Sequence, residues 1–232
     1  MWNDKKKALT FSFDDGVYQD EKLIKILNRY GLKATFNLNS SCLGLLGQLE
    51  RNGRTVEYNR VRPCDVKKIY QNQEVAVHTL THPGLIFLDK STIQWQVEQD
   101  RKTLEDLLGY RIRCMAYPGG GVNNDDRVAE IIKEDTKIEF ARTVTSTYNF
   151  DMQDNLYQFN PSIYFIEVDR LFKMGENFIN LVTQEPKLFY IWGHSFELDA
   201  EYISWEKFEK FCQLVARKND IFYGTNSECL LL

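Results

Sequence analysis

Histidine is scarce in this sequence, with three among 232 residues: His78, His82 and His194. Cysteine is present but unorganised. The five (Cys42, Cys64, Cys114, Cys212 and Cys229) show no C-x-x-C spacing and are odd in number, which argues against a disulfide framework, a zinc ribbon or a redox motif. They read mostly as small buried hydrophobes in a reducing cytoplasm. No apolar run is long enough to span a bilayer. A basic excess is also missing: 29 Lys and Arg against 33 Asp and Glu leave a net charge of −4, with no general attraction to nucleic acid or anionic membranes. The run Lys5–Lys6–Lys7 is followed by Ala8 and a strand, without the apolar stretch of a signal peptide, so a cytoplasmic location is expected. With no repeat, low-complexity tract or linker, a single domain over residues 1–232 is expected.

What is there begins with Leu9–Thr10–Phe11–Ser12–Phe13–Asp14–Asp15–Gly16. Leu9, Phe11 and Phe13 alternate with small polar residues, the pattern of a buried strand, and the strand stops at two carboxylates and a glycine. Asp-Asp-Gly is also ordinary turn chemistry, so the stretch alone does not define a site.

Helical spacing over residues 18–30, closed by Gly31, and renewed alternation over residues 33–39 give strand, helix, strand, the signature of a parallel βαβ unit. Residues 40–62 interrupt this rhythm, and Asn52–Gly53 between short alternating runs predicts an inserted hairpin. A strand over residues 74–78 ends in His78, and His82 falls in the turn after it, before Pro83. Ser91 and Gln94 read as a capping box for a helix reaching Leu108. Strands are expected at residues 113–116, 138–142, 187–193 and 220–223, with helices at 125–133, 169–183 and 204–217 between them. The apolar strand Lys187–Gly193 runs directly into His194.

Every histidine therefore stands at or just beyond a strand's carboxyl end, the face on which parallel α/β folds build their sites. Asp14, Asp15, His78, His82, Tyr117 and His194 would meet there. His78 and His82 have ligand-like spacing, and one Asp completes a set of two nitrogens and one oxygen with open positions, a catalytic rather than structural type of metal site. The other Asp is then free to act as a general base, and His194, with a side-chain pKa near neutrality, as an acid. Spacing does not say which Asp does which. The donor set accepts zinc first, but also cobalt, nickel, manganese or iron.

Ser12–Phe13–Asp14–Asp15–Gly16 resembles the (T/S)-F-D-D-G motif, and His78–Thr79–Leu80–Thr81–His82–Pro83 the H-(S/T)-x-x-H-P motif, of the polysaccharide deacetylases, carbohydrate esterase family 4. Tyr117–Pro118–Gly119 resembles the family's third motif and Ile191–Trp192–Gly193–His194 its last. The resemblance implies a distorted, incomplete (β/α) barrel and metal-dependent hydrolysis of N- or O-acetyl groups on an acetylated carbohydrate. It makes Asp14 the base, Asp15, His78 and His82 the metal ligands, His194 the acid, and Tyr117 the backbone oxyanion donor.

Two departures stand out. The family's third motif, R-x-P-Y, begins with an arginine that pairs with the catalytic Asp, whereas Ala116 stands at that place here. Arg142, at the expected end of another strand, is the candidate substitute. Many relatives are secreted or membrane-anchored, and no such signal is read here, so a small non-sugar amide is a second substrate class. A third reading is a catalytically silent carbohydrate-binding domain with Trp192, Phe196 and Tyr117 as an aromatic platform.

Overall fold

The computed structural model of the chain describes residues 2–231. In chain order the elements are β1 (Lys7–Asp14), α1 (Gln19–Tyr30), β2 (Ala34–Leu38), β3 (Gln48–Arg51), β4 (Arg54–Glu57), α2 (Pro63–Ile69), β5 (Glu74–Val77), α3 (Lys90–Leu108), β6 (Cys114–Ala116), α4 (Asp126–Asp135), β7 (Phe140–Arg142), β8 (Ile163–Tyr164), α5 (Val168–Asn180), β9 (Lys187–Gly193), α6 (Phe196–Asp199), α7 (Trp205–Val215), β10 (Ile221–Tyr223) and α8 (Asn226–Leu230). Eight strands form one parallel sheet in the order β7-β6-β5-β2-β1-β9-β8, with β10 also on β1. A single parallel bridge between Arg142 and Phe159 crosses the gap from β7 towards β8. The sheet is thus curled into a distorted, incomplete (β/α) barrel, as expected. No helix among the described residues is long and apolar enough to cross a membrane.

β1 is central because both its faces are buried and both its edges are paired. Phe11 and Phe13 stack at 6.1 Å and meet Phe208 of α7 edge-on, at 6.2 and 6.3 Å, in the main core. The other face carries Thr10, Ser12 and Asp14, whose polar atoms need partners once buried. Asn226, at the start of α8, accepts from Thr10 Oγ1 at 3.0 Å, and Asn37 Nδ2 of β2 donates to Ser12 Oγ and Asp14 Oδ1, both at 2.8 Å. The alternation in the sequence therefore separates an aromatic face from a hydrogen-bonded column that leads to Asp14.

The inserted hairpin forms from β3 and β4, with Asn52 and Gly53 both at positive φ (52° and 70°), the geometry of a type I′ turn. It does not stand free. Asn52 Nδ2 donates to the Ala200 carbonyl at 2.9 Å, Arg54 pairs with Glu201 at 2.5 Å, and Val56 packs on Val17, Phe196 and Ala200. The hairpin is thereby tied to the segment that follows His194.

Local expectations for α3 and α5 are corrected. The cap of α3 is Asp89, not Ser91, because its carboxylate accepts from the Thr92 amide at 2.9 Å and from the Ser91 hydroxyl at 2.6 Å. α5 stops at Asn180, short of residue 183. α6 and α8 span four and five residues, too few to leave a periodicity in the sequence.

Asp20, fully buried in the first turn of α1, accepts from Ser195 Oγ and Tyr70 OH, each at 2.6 Å, and so joins α1 and α2 to the loop beyond β9. Burial pushes its carboxyl up to about 7 against those two donors. The folded pKa lies above the unfolded one, so between about pH 4 and pH 7 the unfolded chain loses this proton first and stability falls as pH rises. Asp20→Asn should make the fall in unfolding free energy shallower by about 1.4 kcal/mol per pH unit in that window. Denaturant titrations at several pH values check this, and parallel slopes for the two proteins would contradict it.

Candidate metal centre and active site

The carboxyl ends of β1, β5 and β9 bring Asp14, Asp15, His78, His82 and His194 around one cavity of about 350 Å³, with Gly119 and Gly120 from the loop after β6. Asp15, Thr79 and His82 all lie in the left-handed region, at φ 84°, 67° and 62°. Non-glycine residues rarely adopt it, and strained conformations of this kind cluster at functional sites.

Asp15 Oδ1 lies 3.8 Å from His78 Nε2 and 3.7 Å from His82 Nε2. All three donor atoms fall within 4.8 Å of one another. His78 Nδ1–H donates to the Ala116 carbonyl at 2.9 Å, which fixes the tautomer and leaves the Nε2 lone pair aimed at Asp15. Burial pulls the His78 pKa down to about 4, so its ring is neutral near pH 7. Burial opposes ionisation of Asp15 too, but His194, Arg60, His78 and His82 outweigh it and hold the carboxyl well below the usual range. Asp15 Oδ1 is nonetheless buried without a hydrogen-bond partner among the described residues. A bare buried carboxylate oxygen facing two imidazole nitrogens is the arrangement a divalent metal ion would satisfy.

Asp14 points into a different set of partners. Arg142 Nη2 donates to both its oxygens, at 2.5 and 2.6 Å, and the pair is buried, with side chains 0% and 2% exposed. The Arg142 guanidinium also lies over the Trp192 ring, 4.8 Å from its centroid. Burial raises the Asp14 pKa, but Arg142, then His78 and His194, prevail and lower it. In the β6–β7 ladder Arg142 is the direct neighbour of Ala116. The guanidinium thus comes from one strand further along, and it reaches Asp14 past a residue that has only a methyl group.

His194 Nδ1 lies 3.3 Å from Glu197, and Glu197 also accepts from the His194 amide at 2.9 Å and from the Tyr164 hydroxyl. Burial disfavours the imidazolium, yet Glu197, Asp15 and Asp14 outweigh it and raise the His194 pKa to about 9. Sequence reasoning passes over Glu197; an acidic residue three positions after His194 is the available signal.

Tyr117 is corrected. Its amide donates to the Arg142 carbonyl at 2.9 Å, so it belongs to the β6–β7 ladder and is not free for an oxyanion. Its side chain is fully buried, with the hydroxyl on the Tyr157 carbonyl at 2.7 Å, so it forms no part of an aromatic platform. Gly119 and Gly120 line the cavity instead, and neither amide donates a hydrogen bond among the described residues. The aromatic wall is Trp192 stacked on Tyr164 at 4.2 Å, with Phe196 and Tyr58.

Comparison with known proteins places the chain by family and by fold. The family model described as "Polysaccharide deacetylase" matches residues 2–135. No curated protein matches the chain. Among solved structures, the Xyl-CE4 domain of a multidomain xylanase from the hindgut metagenome of Trinervitermes trinervoides shares the fold with a TM-score of 0.61 at 15% identity, over 97% of this chain and 90% of its own. A CE4 family pseudoenzyme from Bacillus anthracis aligns with a TM-score of 0.57 at 17% identity, over 97% of this chain and 66% of its own. A polysaccharide deacetylase from Bacillus cereus aligns with a TM-score of 0.50 at 19% identity over 64% of this chain, which spans 44% of that protein's length.

Removing one partner of a buried ion pair leaves an uncompensated charge, so Arg142→Ala should destabilise the protein by about 3–5 kcal/mol. Residues paired in a parallel ladder point to the same face, so adding Ala116→Arg to Arg142→Ala should restore much of the loss. Thermal unfolding of the single and double variants measures this. A double variant no more stable than Arg142→Ala would show that position 116 cannot supply the charge.

Proposed function

The chain belongs to the polysaccharide deacetylase family, and from that premise we propose that it is a metal-dependent hydrolase that removes acetyl groups from a carbohydrate. The observation that carries the reading is the bare, buried Asp15 Oδ1 facing two imidazole nitrogens. Asp15, His78 and His82 would hold the ion, with zinc the first candidate for this donor set. Such an ion supplies Lewis acidity, lowering the pKa of water from about 15.7 to about 7 and polarising an acyl oxygen.

The remaining chemistry falls to side chains and amides of the chain. Asp14, kept ionised by Arg142, accepts the proton of the attacking water. The amides of Gly119 and Gly120, in place of Tyr117, are the available donors to the tetrahedral oxyanion. Asn123 Nδ2 steadies that loop by donating to the carbonyls of Tyr117 and Gly119, at 3.1 and 2.9 Å. His194, protonated near neutral pH with Glu197 beside it, delivers a proton to the leaving nitrogen or oxygen. Tyr164, which stacks on Trp192 and lines the cavity, offers apolar ring surface to a sugar. The presence of base, ligands and acid together weighs against a silent binding domain. A cavity of about 350 Å³ also admits a small amide, so substrate panels should contain both acetylated oligosaccharides and small amides.

Asp14→Asn should lower acetate release by about 10²–10⁴-fold while keeping the metal, whereas Asp15→Asn and His82→Ala should lose the metal itself. Metal analysis beside an acetate assay tests the division, and equal metal loss in all three variants would overturn it. In His194→Ala, amide hydrolysis should fall much further than hydrolysis of an activated acetyl ester, whose leaving group needs no proton. Equal losses on both substrates would remove the acid role. Tight oligosaccharide binding with no acetate release under any divalent metal would favour the silent reading.

A further inference from the structure

The return strand of the inserted hairpin runs into Tyr58, Asn59 and Arg60, and this segment closes one side of the Asp15 pocket. Tyr58 OH donates to Asp15 Oδ2 at 2.7 Å and accepts from Arg60 Nη2 at 2.5 Å. The Arg60 guanidinium is buried, with its side chain 7% exposed, and lies over the Tyr58 ring at 4.4 Å. Its Nη1 donates to the Asp15 carbonyl and to Asn39 Oδ1 at 3.4 Å. That nitrogen comes within 3.3 Å of Asp15 Oδ1 without hydrogen-bonding to it.

A buried guanidinium this close to a carboxylate ordinarily forms a two-point ion pair. Here the phenol hydroxyl stands between them: it accepts a hydrogen bond from Arg60 Nη2 and donates its own to Asp15 Oδ2. We infer that Tyr58 is a positioning residue that spaces Arg60 from Asp15 and thereby keeps Oδ1 bare for a metal ion. The inference rests on the metal-centre reading above. The 40–62 insertion thereby acquires a role at the site, because without Tyr58 the Arg60 guanidinium closes onto Asp15 and competes with the cation for the same oxygen.

Titration of the metal-free full chain with Co²⁺, followed by calorimetry and by the visible absorption of bound cobalt, tests this. Tyr58→Phe keeps the ring packed edge-on against Phe196 at 5.3 Å and removes only the hydroxyl. Its cobalt affinity should fall about 10–100-fold, the usual effect of losing a hydrogen bond that orients a ligand. Adding Arg60→Met removes the competing cation and should return most of that affinity, and Arg60→Met alone should bind cobalt at least as tightly as the wild type. Thr55→Ala, which loosens the exposed Thr55–Glu50 contact of the hairpin, should leave the affinity unchanged. Equal affinities for Tyr58→Phe and wild type would overturn the inference alone. So would a loss in Tyr58→Phe that Arg60→Met does not reverse, or weakened binding in Arg60→Met by itself, which stays readable if Tyr58→Phe fails to fold. A wild-type chain that binds no cobalt would overturn the metal-centre reading and the inference together.

Discussion

Three carboxylates, Asp14, Asp15 and Glu197, are buried around one cavity, and much of the surrounding architecture answers the need to compensate them. Unpaired, each would cost several kcal/mol in a medium of low polarity. Arg142 compensates Asp14 from β7, Arg60 lies beside Asp15 from beyond β4, and His194 meets Glu197 one turn along its own chain segment. Compensation is unequal between the two adjacent aspartates. Asp14 has both oxygens engaged by a guanidinium, whereas Asp15 retains one oxygen with no hydrogen bond among the described residues. Two adjacent aspartates thereby acquire different surroundings.

The sheet makes that division possible. Parallel pairing of β1 with β2 and β9 and of β5 with β6 brings their carboxyl ends to the same side of the fold. The backbone then leaves β1 and β5 through left-handed residues, which turns Asp15 and His82 back towards the cavity. Behind it, a second set of buried groups fixes the loops. Asp100 of α3 accepts from the amides of Ser40 and His78, at 2.6 and 3.1 Å, and Asp20 holds Ser195. The site is therefore supported from two helices as well as from the strands.

Close packing sets the path beyond β9. A side chain at Gly193 would place its Cβ 2.0 Å from the buried Phe165 ring, so only glycine allows β9 to pass this ring and deliver His194 to the cavity. The hairpin, tied to Ala200 and Glu201, closes the other side. The insertion and the segment after His194 thus form one wall, although they lie far apart in the chain.

Much of this was legible from the residues alone, because strand alternation and helical spacing are local properties that burial imposes on neighbours in sequence. The alternation ending at Asp14, the placement of every histidine at a strand end, and the donor types of Asp15, His78 and His82 were written there. Interactions through space were not. Arg142 was already the candidate partner of Asp14, but its place beside Ala116 and its reach to Asp14 depend on strand order and register; the same ladder consumed the Tyr117 amide. Glu197 acquired its part only when four residues after His194 coiled into a short helix, and Tyr58 when a hairpin folded against it. The sequence by itself determined which chemical groups are present and which ends of the strands carry them. The tertiary structure decided how their charges are shared, since compensation of a buried charge depends on distance and exclusion of water rather than on position along the chain.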